Sequence, residues 1–167
     1  MLRNSLLVLV ALLVGTYSYL RFIGIEPQDR RPGTHLAGEP APLPADLATL
    51  AEPMEVHLET YPWYGIPFAV TTVIGYEAGQ LFVPSLYEAV MPFPGTKYWN
   101  RVVQADPRVR LRADGKLYEF EIYPIEDDAE FSRAFAALGE KYPFWRDQVR
   151  LARTEARYAL LKLVPRS

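Results

Sequence analysis

The amino-acid sequence predicts a mainly β protein with helices (α+β): an antiparallel β-barrel with flanking helices, preceded by one N-terminal transmembrane helix. Three observations support this fold class. The chain begins with a long, nearly uncharged apolar run, as a membrane-spanning helix does. The body contains several short segments rich in β-branched and aromatic residues, which favour strands. One Asp-Gly pair stands between two alternating segments, where it is typical of a β-hairpin turn.

The composition limits the domain organisation and the chemistry. The 167 residues leave room for one compact domain, so we assign a transmembrane anchor to 1–25, a proline-rich linker to 26–44 and the barrel to 45–167. The net charge of −2 provides no general attraction for phosphate backbones, and we expect no nucleic-acid partner. Without cysteine the chain has no disulfide, no thiolate nucleophile and no cysteine-ligated metal.

The predicted membrane anchor covers residues 6–25, with Arg21 as its one charge, and this length suits a bilayer span. Tyr17, Tyr19 and Phe22 stand where interfacial aromatic residues are expected. A cleaved secretory signal is the alternative, but no clear small-x-small cleavage site follows the apolar core. More basic residues follow the segment than precede it, which favours a single pass through a bacterial-type inner membrane with the body on the cytoplasmic side.

Proline interrupts two segments, the linker and the first part of the barrel domain. Five prolines within 26–44 predict an extended linker or a strap over the body. Residues 46–59 repeat leucine and methionine at helical spacing, and Pro53 interrupts the repeat. We therefore expect one broken helix or two short helices there, with His57 on the helix surface or against the barrel.

Further elements follow from local composition. Residues 68–76 and 80–85 are expected to pair as a hairpin, and a last strand is expected in 156–165. Helices are expected at 97–104 and 129–141, the second with Asp127 or Asp128 as its N-cap. The stretch 146–157 is expected to be helical in part.

The clearest local prediction is a hairpin that turns at Asp114-Gly115. Pairing outward from this turn sets Arg110 opposite Glu119 and Arg108 opposite Glu121 on one face. We interpret these charges as structural pairs and not as a phosphate site. The other face is expected to enter the barrel, because strand side chains alternate; it carries Val109, Leu111, Tyr118 and Phe120.

The sequence contains no recognisable catalytic motif, so the catalytic residues stay unassigned. His35 and His57 have no further ligand at a metal-binding spacing, and we expect no metal site. Nucleophile-elbow, dinucleotide-binding and P-loop motifs are also absent from the sequence. The aromatic residues of 61–67 are interpreted as core, with stacking on a flat cofactor or a quinone-like substrate as the alternative.

The order VTTVIGYEAGQLFVPS, then KYW, then DPRVRLR before the glycine turn resembles the pyridoxamine 5′-phosphate oxidase-like split-barrel superfamily. The resemblance covers residues 68–125 and the helix within 131–145. It implies a split β-barrel and a homodimer that binds a flavin at its interface. Some members of the superfamily bind a deazaflavin or haem instead, many catalyse redox reactions, and others have lost the cofactor.

The resemblance also implies which residues bind the cofactor. Thr71 and Thr72 match first-strand positions near the flavin, Pro84 and Ser85 belong to the matching second-strand segment, and Lys97 and Trp99 match the start of a basic helix. The sequence departs from the pattern in two places. Residues 68–69 are Phe-Ala where members often supply a basic phosphate ligand, and the insertion 86–96 separates Ser85 from Lys97.

Two functions of different classes are consistent with these observations. The first is a membrane-anchored flavin-binding oxidoreductase that uses FMN, with deazaflavin or haem as weaker alternatives; haem would need His35 or His57 as an axial ligand. The second is a cofactor-free accessory or interaction subunit of a membrane protein complex. In both cases the expected partners are membrane lipid around 6–25 and either a second copy or another subunit.

Overall fold

The computed structural model of the protein describes residues 2–86, 93–146 and 158–166. Most of the insertion 86–96, and the stretch after Arg146 that was expected to be partly helical, lie outside these residues. The helices are α1 (Leu2–Phe22), α2 (Tyr98–Ala105) and α3 (Asp128–Lys141), with a short 3₁₀ helix at Leu47–Ala51. The strands are β1 (Glu39–Pro40), β2 (Val56–Thr60), β3 (Phe68–Thr72), β4 (Gly75–Glu77), β5 (Gln80–Leu86), β6 (Arg108–Ala113), β7 (Lys116–Pro124) and β8 (Tyr158–Pro165).

The strands form one sheet in the order β3-β2-β6-β7-β8-β5-β4, with antiparallel neighbours throughout, and β1 adds a short parallel pair to β7. Side chains from distant strands of this order share one core, among them Leu58 of β2, Val83 of β5 and Leu163 of β8. The sheet therefore curls around its own apolar face as a half-barrel, with the helices outside. The predicted antiparallel split barrel is confirmed at this level.

The hairpin of β6 and β7 has the predicted register. Arg110 lies opposite Glu119 and Arg108 opposite Glu121. Both turn residues have the positive φ that a tight hairpin turn of this kind requires, 49° at Asp114 and 75° at Gly115. The predicted inner face is buried.

The helical prediction for 46–59 is wrong over its second half. Only Leu47–Ala51 is helical, and its N-cap Asp46 accepts a hydrogen bond from the backbone N of Ala48 at 2.9 Å. Residues 56–60 form β2, which lies between the edge strand β3 and β6, so His57 lies in a strand. Pairing on both sides satisfies the backbone of this segment, and that tertiary arrangement overrides the apparent helical spacing.

The predicted pairing of 68–76 with 80–85 is also wrong in part. The strand ends at Thr72; β3 then pairs β2, and only Gly75–Glu77 pairs β5. Between the two strands, the hydroxyl of Tyr142 contacts both backbone groups of Ile74, at 3.3 Å from its N and 3.0 Å from its O. A side chain that follows α3 thus replaces a strand partner for Ile74.

The remaining helices agree with the sequence. α2 begins one residue after Lys97, and the side chain of Asp127 caps α3 by accepting a hydrogen bond from the backbone N of Glu130 at 2.7 Å. The predicted last strand is β8, which pairs β5 and β7. α1 is apolar and exposed to solvent along its length; Asn4–Phe22 is the one helix of the described residues that is long and apolar enough to cross a membrane.

Residues 26–44 lie against the barrel, and we call this segment the strap. Gly33 and Ala69 exchange two backbone hydrogen bonds, of 2.8 and 3.1 Å, which attach the strap to the outer edge of β3. Leu36 is fully buried. The carboxylate of Glu26 pairs with the guanidinium of Arg112 at 2.5 Å. The strap is thereby held over β3 and the neighbouring strands.

Candidate functional site

A cleft of about 490 Å³ opens between the strap, the edge strand β3 and the start of α2. We call it the Thr71 cleft. Its volume lies within the range of ordinary small-molecule sites. The residues that matter for its chemistry are three cations, one hydroxyl and a group of aromatic rings: Arg30, Arg31, Lys97, Thr71, Phe68, Tyr98 and Trp99.

Three of the six predicted cofactor-binding residues line this cleft, namely Thr71, Lys97 and Trp99. The other three lie elsewhere. The hydroxyl of Thr72 is 3.3 Å from the carbonyl oxygen of its neighbour Val73. Pro84 and Ser85 are buried in β5.

Ser85 has a partner inside the protein. Its hydroxyl accepts a hydrogen bond from the side-chain amide of Asn100 on α2, at 2.9 Å. The pair joins β5 to α2 below the surface, and this explains the position of Ser85 without a ligand.

The hydroxyl oxygen of Thr71 is buried and has no hydrogen-bond partner among the described residues. Leaving a buried hydroxyl unpaired costs about 1–3 kcal/mol. Thr71 belongs to the edge strand and lines the cleft, so a bound molecule could satisfy this hydroxyl. A buried oxygen without a partner needs an explanation, and a ligand bound in the cleft would provide one.

The cations reach the cleft from two different elements. A tight turn presents Arg30 and Arg31, closed by backbone hydrogen bonds of 3.0 and 2.7 Å between Gln28 and Arg31. The bonds between Gly33 and Ala69 hold this turn beside β3. Lys97 occupies the N-cap position of α2, and its own side chain makes no capping hydrogen bond to the first turn. Within the described part of the lining, these cations outnumber the one carboxylate, Asp29.

Sequence reasoning missed Arg30 and Arg31 as site residues. In the sequence they stand out only as charges that follow the apolar helix, in a segment predicted to be a linker. A signal for them existed, because the first strand lacks the basic phosphate ligand that the resemblance leads one to expect. The structure places two arginines of the strap beside that strand.

Aromatic rings form one wall of the Thr71 cleft. The rings of Phe68 and Tyr98 meet edge to face, with centroids 5.0 Å apart and planes at 75°. The Tyr98 hydroxyl donates to the Tyr64 hydroxyl at 3.3 Å. Burial raises the pKa of Tyr64 to about 12, with a further contribution from this hydrogen bond. The rings of Phe68 and Tyr98 therefore give the cleft an aromatic wall, and the neutral phenol of Tyr64 holds the Tyr98 hydroxyl.

A second cleft, of about 590 Å³, lies on the other side of the 61–67 loop, and we call it the Glu59 cleft. Glu59 is fully buried there. Its Oε2 accepts a hydrogen bond from the backbone N of Leu36 at 2.5 Å and lies 3.3 Å from Nδ1 of His35. Its Oε1 accepts no hydrogen bond within the described residues but lies 3.4 Å from Nη1 of Arg110.

Three of the four arginines that line the Glu59 cleft have acidic partners, and Arg166 is one of them through Glu119. Arg110 donates to Glu119 at 2.9 Å, and Arg108 pairs with Asp106 at 2.5 Å. The Arg108 guanidinium lowers the pKa of Asp106 by hydrogen bonding. Arg110 thus pairs with the opposed Glu119 as expected, whereas Arg108 pairs with Asp106 instead of the opposed Glu121, whose carboxylate accepts a hydrogen bond from the Tyr123 hydroxyl. Among the described residues there is also no group of three side chains that could hold a metal ion.

Comparisons with known proteins give a match at the level of structure. No family model and no curated protein matches the chain. The crystal structure of HutZ, the haem storage protein from Vibrio cholerae, has a TM-score of 0.54 at 14% identity and covers 75% of this chain and 91% of that one. A putative pyridoxamine 5′-phosphate oxidase from Listeria innocua has a TM-score of 0.50 at 16% identity, over 72% of this chain and 90% of that one.

An FAD-binding protein from Mesorhizobium loti matches with a TM-score of 0.50 at 16% identity, over 73% of this chain and 88% of that one. The chain has the pyridoxamine 5′-phosphate oxidase-like split-barrel fold. The resemblance seen in the sequence is confirmed for the fold. Split-barrel proteins among these neighbours are described as binding FAD or storing haem, and a shared fold does not decide between such functions.

Proposed function

We propose that this split-barrel protein is held on a membrane by α1 and binds FMN in the Thr71 cleft for an oxidation–reduction reaction. The observation that carries the proposal is the buried hydroxyl of Thr71, which has no hydrogen-bond partner among the described residues, in a cleft that three cations also line. A hydroxyl donor and several cations are the groups that hold a phosphate.

The residues that line the cleft would make two kinds of contact with FMN, one to its phosphate and one to its ring system. Arg30, Arg31 and Lys97 would hold the phosphate, and the first turn of α2 favours an anion at the same end of the cleft. Phe68 and Tyr98 would provide the apolar wall for the ring system. Bound flavin would supply the electron-transfer chemistry, while the protein contributes binding, orientation and electrostatics.

A flavin fits this cleft better than haem does. Haem needs an axial ligand such as histidine, cysteine, methionine or tyrosine. Neither histidine lines the Thr71 cleft: His35 lies beside Glu59, and His57 lies on β2, where burial lowers its pKa. Among the described residues that line the cleft, Tyr98 is the one side chain of these types, and its hydroxyl donates a hydrogen bond to Tyr64. The FAD-binding neighbour adds support at the level of fold.

The proposed membrane anchor is supported by the character of α1. Its 19-residue apolar section has a mean hydropathy of 1.7 and no side of it is buried by the barrel. Aromatic residues and Arg21 follow near its C-terminal end, as at a membrane boundary. We place the body on the cytoplasmic side from the basic residues after the helix, and we retain the homodimer as part of the proposal.

The experiment that tests this function is an absorption spectrum of the full chain purified in mild detergent, followed by mass spectrometry of any molecule released on denaturation. Flavin bands at near-stoichiometric occupancy and the mass of FMN are the expected result. A colourless protein that takes up neither added FMN, deazaflavin nor haem would contradict the proposal. That outcome would favour the cofactor-free accessory subunit.

A further inference from the structure

The 61–67 loop lies against the last turns of the apolar helix. The hydroxyl of Tyr17 donates a hydrogen bond to the backbone oxygen of Tyr64 at 3.3 Å. The guanidinium of Arg21 donates to the backbone oxygen of Gly65. These contacts join residues more than forty positions apart in the chain, so they fix the height of the loop along α1.

Trp63, at the tip of this loop, is 94% exposed, so the interpretation of the 61–67 aromatic residues as core is wrong for this ring. Trp99 and Trp145 are each 7% exposed. A tryptophan ring offers a large apolar area and usually finds a partner. The nearby residues Phe22, Ile23 and Ile25, at the end of α1, are exposed as well. Phe22 and Trp63 line the same cleft, so the apolar surface of the helix end continues onto the loop.

The dimensions of α1 place this surface at a definite depth. At about 1.5 Å per residue, the 19-residue apolar section is about 28 Å long, close to the roughly 30 Å of hydrocarbon in a bilayer. Its last turns, and the loop bonded to them, then lie at the boundary between hydrocarbon and headgroups. Tryptophan and tyrosine are enriched at that depth because one end of each side chain is apolar and the other is polar.

We infer that the 61–67 loop is a second membrane contact, in which the ring of Trp63 enters the headgroup region of the same bilayer that α1 crosses. The inference rests on the membrane anchoring proposed above and adds to it a fixed orientation of the barrel. A helix alone leaves the barrel free to swing, whereas a second contact beside the helix holds one face of the barrel toward the lipid.

A fixed orientation of the barrel would also place the Thr71 cleft close to the membrane surface. Tyr64 belongs to the loop, and its hydroxyl accepts the hydrogen bond of Tyr98, which lines the cleft. The membrane contact is thus one hydrogen bond away from the wall of the proposed flavin site. The cleft lies near the headgroups, where the accessible substrates are lipid-soluble or amphiphilic molecules.

The test uses the full chain in phosphatidylcholine nanodiscs, compared with the Trp63→Phe variant. Trp63 is the one exposed tryptophan of the three in the chain, so the difference between the two emission spectra reports on Trp63 alone. Because the side chain is exposed, Trp63→Phe leaves the core intact. Lipids brominated near the headgroup end of the acyl chain quench rings at the boundary, and iodide quenches rings in water.

We expect brominated lipid to remove the emission that distinguishes wild type from Trp63→Phe, and iodide to leave it. The reverse pattern, quenching by iodide and not by brominated lipid, would overturn the inference while the anchor survives. Protection from both quenchers only in nanodiscs that hold two copies would also overturn it, because a second copy would then cover the loop. A chain that does not assemble with nanodiscs would instead contradict the anchor itself.

Discussion

The Glu59 cleft and the Thr71 cleft both bring arginines and aromatic rings together, but they differ in how the polar groups are paired. In the Glu59 cleft, Arg108 and Arg110 have acidic partners within 3 Å, and the buried carboxylate has contacts from the strap and β6, although its Oε1 accepts no hydrogen bond within the described residues. In the Thr71 cleft, the buried hydroxyl of Thr71 has no partner within the described residues.

This difference distinguishes charged groups that stabilise the fold from polar groups that are available to bind a ligand. A buried charge that is paired holds segments of the chain together, and Glu59 joins the strap to β6 in this way. Unpaired polar groups on the wall of a cleft have no such explanation inside the protein. The larger cleft is therefore not the better candidate for the ligand, because most of its charges are already paired.

The largest expected effect follows from removing the carboxylate of the Glu59 cleft. Glu59→Ala leaves Arg110 and the backbone N of Leu36 without this acceptor, and we expect the free energy of unfolding to fall by about 3 kcal/mol. Glu119→Ala is the matched control, because Glu119 also pairs with Arg110 but is half exposed; its expected cost is below about 1 kcal/mol. Denaturant unfolding in detergent measures both free energies. Equal losses in the two variants would show that the buried carboxylate stabilises the fold no more than the half-exposed one.

The next effect concerns the cations of the Thr71 cleft. Arg31→Ala and Lys97→Ala are each expected to weaken FMN binding about tenfold, because each removes one charged contact to the phosphate. Stability of the cofactor-free protein should hardly change, since both side chains are at the surface. Flavin fluorescence titration gives the affinities, with Lys116→Ala as an exposed cation outside the cleft. A similar loss in that control would point to a nonspecific charge effect.

Thr71→Val is expected to change stability and binding in opposite directions. The variant removes a buried hydroxyl that has no partner in the described part of the chain, so the cofactor-free protein should gain up to about 1 kcal/mol, while FMN binding weakens several-fold. Thr72→Val is the neighbouring control, because the Thr72 hydroxyl lies near Val73 O and does not line the cleft. If Thr71→Val leaves FMN affinity unchanged, the hydroxyl does not face the ligand.

The smallest expected effect is pH-dependent and concerns the attachment of the strap. Hydrogen bonding from Arg112 lowers the pKa of Glu26 below its ordinary value of 4.5. The ionised form thus stabilises the fold above pH 4.5, and this contribution is lost as the pH falls through the lower, folded-state pKa. Glu26→Gln should therefore be destabilising at neutral pH and nearly neutral in strong acid, as measured by unfolding over a pH series. In an Arg112→Ala background the same substitution should have little pH-dependent effect.

The parts of the fold that were predictable are those set by neighbours in sequence. The β6–β7 hairpin follows from Asp114-Gly115 and from strict alternation, both local signals. The capped start of α3 at Asp127 is local too. β2 was missed because it is a strand only by virtue of β3 and β6 on its two sides, which no local window contains.

The candidate site was only partly predictable for a similar reason. Thr71, Lys97 and Trp99 belong to segments that carry the split-barrel resemblance, and the structure brings them together. Ser85 belongs to the same segments, but its burial against Asn100 depends on how α2 packs on β5. Arg30 and Arg31 reach the cleft because Gly33 pairs with Ala69, a long-range contact of the strap.

The central claim is that the cations of the Thr71 cleft hold the phosphate of a flavin, and the most direct test compares FMN with riboflavin. The two molecules share the ring system, and riboflavin lacks the phosphate. Cofactor-free protein in detergent is titrated with each, by the quenching of flavin fluorescence. We predict that FMN binds at least about tenfold more tightly and that added salt reduces the difference. Equal affinities, or no binding of either flavin, would contradict the claim.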